Sequence, residues 1–99
     1  MQKTTLEILN AFWDTLDFKT KAILAEFAAE MQSAKVKHPD WPVDVIHQAA
    51  IVAEESGELV RAALQSTYEN ADKDHITREA IQTGAMCLRV LVNTQLEFH

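Results

Sequence analysis

The chain has 99 residues, enough for one domain around one core, and its 47% hydrophobic and 24% charged content excludes a disordered chain. Fifteen Asp and Glu against nine Lys and Arg give a formal charge of −6, which argues against a nucleic acid polymer or an anionic membrane as partner, because both reward a basic face. With only two Gly and two Pro the chain lacks the turns of a β-sandwich or barrel, so the expected fold is all-α.

Leu6, Leu9, Phe12, Trp13 and Leu16 recur at helical intervals, and Ile23, Phe27, Met31 and Ala34 resume the spacing, so residues 4–36 form one or two helices. Asp17 is a capping candidate for a second segment, because its carboxylate can accept from the amides of the turn that follows. The segment from Val36 to Pro42 holds both prolines, which keeps His38 and Trp41 extended and makes this the main connection. Pro42 suits the first position of the next helix, with Asp44 in its first turn, and that helix runs to about Ser66. A polar stretch, 67–75, ends in the capping candidate Asp74, and a last helix spans Ile76–Leu96.

Both later helices are apolar nearly all round, as in Val45, Ile46, Ala49, Ile51, Val52, Leu59, Val60 and Leu64, and again in Ile81, Met86, Leu88, Val90, Leu91 and Val92. Three long helices cannot bury two such members alone, so a homo-oligomer, a dimer or tetramer, is expected to complete the bundle. The longest apolar run, Ala49–Ala53, is far short of the roughly twenty residues of a membrane span. The single Cys87 forms no internal disulfide and no apolar leader follows Met1, so a cytoplasmic location is expected.

Set into the apolar helix is Glu54-Glu55-Ser56-Gly57-Glu58. At about 100° per residue, Glu54 and Glu58 lie about 40° apart and Glu55 and Glu58 about 60° apart, so three carboxylates crowd one sector and repel. Glu79 and Gln82 offer a similar i,i+3 pair of oxygens on the last helix. A solvated acidic face is the simplest alternative. Against it stand the apolar neighbours and the two glycines, Gly57 and Gly84, each of which costs a helix about 1 kcal/mol and so marks the place where the two helices are expected to approach closely. Oxygen ligands without Cys suit a hard cation, Mg²⁺ or Mn²⁺, rather than zinc, and no Glu has a His three residues later, as a di-iron bundle requires. His47 lies two turns before Glu54 on the same face, a candidate for substrate contact.

Glu54-Glu55-Ser56-Gly57-Glu58, followed after twenty intervening residues by Glu79-Ala80-Ile81-Gln82, resembles the E-E-x-x-E and E-x-x-D pair of the MazG-like all-α nucleoside triphosphate pyrophosphohydrolases. The likeness spans roughly His47–Leu91. It implies a single domain over 1–99, packed as dimers or dimers of dimers, that hydrolyses a (d)NTP between its α and β phosphates. It implies Mg²⁺ ligands at Glu55, Glu58 and Glu79, with Gln82 at the position of the family's Asp. An amide oxygen there brings no charge, so the metal is held less tightly. Glu54 is then free to hold a second metal or to take a proton from the attacking water. Among the cations Arg61, Arg78, Arg89, Lys35 and Lys37, Arg89 is the first choice for the phosphates because it interrupts the apolar run of the Glu79 helix, and Trp41 is placed to stack a base. A non-catalytic helical module that binds a nucleotide or a protein is the alternative, and Gln82 is the feature that supports it.

Overall fold

The computed structural model describes residues 2–94, and among them every regular element is an α-helix: α1 Thr5–Thr15, α2 Phe18–Lys37, α3 Val45–Tyr68 and α4 Asp74–Asn93. The first predicted segment is thus two helices. Thr4 and Glu7 form a reciprocal capping box at the start of α1, with Thr4 Oγ1 accepting from the Glu7 amide at 3.1 Å. Leu16 is extended and stops the helix, and Asp17 caps α2 as expected, its carboxylate accepting from the Thr20 amide at 2.7 Å. Hydrogen bonding from Thr20, from its side chain first and its amide second, favours the anion and holds the Asp17 carboxyl below its usual range.

Two expected starts are corrected. Pro42 does not open α3; Asp44 is the N-cap, accepting from the Ile46 amide at 3.1 Å, while the Pro42 carbonyl accepts from Gln48 Nε2 at 2.8 Å. The cap fixes the start because its side chain satisfies an amide that Pro42 cannot reach from two residues upstream. Likewise Asp74 is the first residue of α4 rather than its cap, and Asp72 accepts from the Asp74 amide at 2.9 Å. Asn70, at φ 55°, takes the left-handed conformation that ends α3 and turns the chain into the short connection to α4. The predicted helix end at Leu96 lies outside the described residues.

A connection this short folds α3 and α4 into a helical hairpin, and α4 packs against both α3 and α2. The buried apolar core is small: Met31 from α2, Ala62 from α3 and Ala85 from α4. Gly84 works at the α2–α4 contact, where a Cβ would fall 2.7 Å from Phe27 Cε1, whereas Gly57 faces open space. The expectation that the glycines mark the approach of the two carboxylate helices is therefore corrected: α3 and α4 do meet, but Gly84 admits a ring from α2 and Gly57 admits nothing.

Helix α1 has no buried residue and builds no packed interface with the rest of the described chain. The chain extends over 58 × 35 × 21 Å with a radius of gyration of 16.3 Å, against about 13 Å for a compact chain of this length. Its accessible surface is 7787 Å², where a globular monomer of 11.2 kDa exposes about 5,700 Å². Much of the excess is apolar, with Leu6, Phe12, Phe18, Val45, Ile46 and Val60 all more than half exposed. No helix among the described residues is long and apolar enough to cross a membrane.

Candidate metal centre

The helical period sets Glu55 and Glu58 one turn apart on α3, and the α3–α4 hairpin carries Glu79 to them. One carboxylate oxygen from each of the three lies within 4.8 Å of the others. These are the three residues that the motif resemblance names as ligands. Glu79 is 12% exposed, and its Oε1 lies 3.3 Å from His75 Nε2 one turn earlier on α4. The second oxygen of Glu79 and Oε2 of Glu55 are buried without a hydrogen-bond partner. Burial pushes the Glu55 carboxyl above its usual range, and Glu58, Glu79, Glu54 and Glu30 push it further in the same direction. Two buried oxygens with no donor, in a field of like charge, suit a cation better than they suit one another.

Two cavities flank the cluster. One, of about 270 Å³, is lined by Glu58, Arg61, Gln65, His75 and Glu79. The other, of about 220 Å³, is lined by Glu30, Ala34, Lys37, His38, Glu55, Gln82 and Met86. Gln82 therefore shares a cavity with Glu55. Glu54 is exposed on α3 and acts on the cluster through its charge. His47 is exposed and lines neither cavity.

Arg89 and Trp41 are brought to each other and not to the carboxylates. Arg89 is 3% exposed, and its guanidinium donates from Nη2 to the His38 carbonyl at 2.7 Å and lies 4.4 Å from the centre of the Trp41 ring. Together with Gln48, which reaches the Pro42 carbonyl, this pair straps the proline-bracketed loop onto α3 and α4. The cation that does line a cavity with two of the carboxylates is Arg61, one turn beyond Glu58. Sequence reading passed over Glu30 and His75. His75 was legible as an i,i+4 partner of Glu79, but Glu30 was not, because only the packing of α2 on α4 brings it towards Glu55.

No family model, no curated protein and no solved structure matches the chain.

Proposed function

We propose that this chain is a Mg²⁺-dependent nucleoside triphosphate pyrophosphohydrolase, which hydrolyses a (d)NTP between the α and β phosphates to the (d)NMP and pyrophosphate and so cleans the nucleotide pool. The observation that carries this reading is the convergence of Glu55, Glu58 and Glu79 from two helices, with two of their oxygens buried and unpartnered. The motif resemblance supplies the reaction. The all-oxygen donor set fits Mg²⁺, with Mn²⁺ as the nearest substitute, held by Glu55, Glu58 and Glu79 and approached by Gln82 from the second cavity. When bound, such a cation neutralises phosphate charge and lowers the pKa of a coordinated water.

The remaining work falls to side chains around the cluster. Glu54, exposed beside it, takes the proton of the attacking water. Arg61 takes the phosphate contact instead of Arg89, because it lines the cavity of Glu58 and Glu79 while Arg89 is committed to His38 and Trp41. The same reading makes the chain a homodimer or homotetramer, supported by its open shape and exposed apolar surface.

The test is pyrophosphate release from a panel of (d)NTPs with and without Mg²⁺. Metal-dependent turnover is expected from the wild type, and Glu55→Ala or Glu58→Ala should lower it at least 100-fold; turnover that survives either change overturns the site. A non-catalytic nucleotide- or protein-binding module is the second reading, favoured by Gln82 in place of a charged ligand. Its signature is a Mg²⁺-raised melting temperature without turnover of any nucleotide.

A further inference from the structure

The exposed helix α1 and the exposed apolar face of α3 and α4 are each incomplete within one chain. On α1, Leu6, Leu9 and Phe12 recur at three-residue spacing and are 66%, 51% and 63% exposed. Trp13 beside them is partly covered by the Lys21 ammonium, 5.7 Å from the ring centre. The joint to α2 is two residues, Leu16 and Asp17, and α1 buries no residue against its own bundle. An open apolar groove of about 350 Å³ lies between α3 and α4, lined by Ala49, Val52, Cys87, Val90 and Leu91. A cavity of about 150 Å³ accepts a benzene ring, so this groove has room for an aromatic ring and a neighbouring aliphatic side chain.

We propose that α1 of one copy seats in the α3–α4 groove of a second copy, with Phe12 as the anchor, in a reciprocal exchange about a two-fold axis. The accessible surface names the occupant. One chain exposes about 2,000 Å² more than a globular monomer of its mass, well over the roughly 800 Å² that each partner of a standard interface buries. A reciprocal exchange covers both the arm and the groove on every chain, which is the closure that an isologous interface supplies. A membrane surface is the poorer occupant: α1 carries Glu7 and Asp14 with no basic residue, and the chain is at −6. The proposal refines the homo-oligomer in the functional reading and is independent of catalysis.

Cys87 lies in the groove and is the only cysteine, which makes a covalent test specific. Leu9→Cys/Cys87→Ser, which keeps the Phe12 anchor, is mixed with the wild type and oxidised mildly, beside a control mixture in which Val36→Cys/Cys87→Ser presents a more exposed thiol on α2. The expected result is a disulfide-linked pair of unlike chains that forms at least tenfold faster with Leu9→Cys than with the control. In parallel, light scattering should give the wild type at least twice its 11.2 kDa chain mass. Phe12→Asp should weaken assembly roughly 30-fold or more, the scale of a lost aromatic anchor, with helical circular dichroism unchanged. A monomeric wild type overturns the proposal, as does an oligomer whose Leu9→Cys link forms no faster than the control. Pyrophosphate release plays no part in the readout, so the arm and the catalytic reading fail separately.

Discussion

The two glycines should respond to alanine in opposite directions. Replacing Gly by Ala inside a helix gains about 1 kcal/mol from the lower entropy of the unfolded chain and the better helix propensity. At Gly57 a new Cβ meets nothing within 4 Å, so the whole gain is expected. At Gly84 the same Cβ would sit 2.7 Å from Phe27 Cε1 and 2.8 Å from Cζ, where carbon atoms prefer about 3.5–4.0 Å. The ring must retreat by roughly 1 Å. Phe27 is a rigid plane half-buried on α2, and forcing extra volume into such a contact costs about 1–3 kcal/mol. Gly84→Ala is therefore expected to be neutral to about 2 kcal/mol destabilising, with Gly57→Ala about 1 kcal/mol stabilising. For a chain of this size 1 kcal/mol moves the melting temperature by about 4–8 °C, readable by circular dichroism at one fixed protein concentration and without metal. Phe27→Leu shortens the obstructing side chain, so Gly84→Ala should become stabilising in that background, a coupling the double-mutant cycle reports directly. Equal stabilisation by both alanines would refute the reasoning, since it means that Phe27 swings away freely and α2 is not held on Gly84.

The remaining predictions concern the site and the strap. The Glu55 carboxyl is raised above 4.5 in the folded chain, so it binds protons more readily folded than unfolded; its contribution is fully favourable below 4.5 and is lost as the pH rises through the raised value. Metal-free wild type should therefore lose melting temperature as the pH rises above about 4.5 more steeply than Glu55→Gln, and saturating Mg²⁺ should restore it only in the wild type; parallel pH profiles would remove Glu55 from the strained cluster. Gln82→Asp should tighten Mg²⁺ binding by calorimetry, and unchanged affinity would put Gln82 outside the metal's ligand set. Arg89→Lys keeps the charge but gives up the planar stack on Trp41 and the hold on the His38 carbonyl, so it should cost about 1–3 kcal/mol of stability while Mg²⁺ affinity stays constant; the reverse pattern would return Arg89 to the phosphate site.

Local physics was legible in the sequence wherever one residue acts on its own turn of chain. Asp17 caps α2 because a carboxylate beside free amides does so whatever else the chain packs against. Pro42 and Asp74 were misplaced by a residue or a few, because two adjacent polar or proline residues compete for one helix start and side-chain geometry picks the winner. Arg89 looked like a free cation interrupting an apolar run. Its burial under Trp41 depends on a loop fifty-one residues away in sequence, which no local spacing reveals.

By itself the sequence determined an all-α chain, with helix over 4–36, from about Pro42 to Ser66 and from Ile76 onward and the break near Asp17 left open, and it set Glu54, Glu55 and Glu58 on one sector of a helix, since helical period and apolar flanks are properties of single segments; the motif resemblance joined Glu79 to Glu55 and Glu58. Only the tertiary structure decided that Glu55, Glu58 and Glu79 converge without Glu54, that Gln82 shares a cavity with Glu55, that Arg61 and not Arg89 lines the cavity of Glu58 and Glu79, and that α1 is left unpacked. Those outcomes rest on contacts between helices. A contact depends on which face each helix turns to its neighbour, and that is set by the whole core at once.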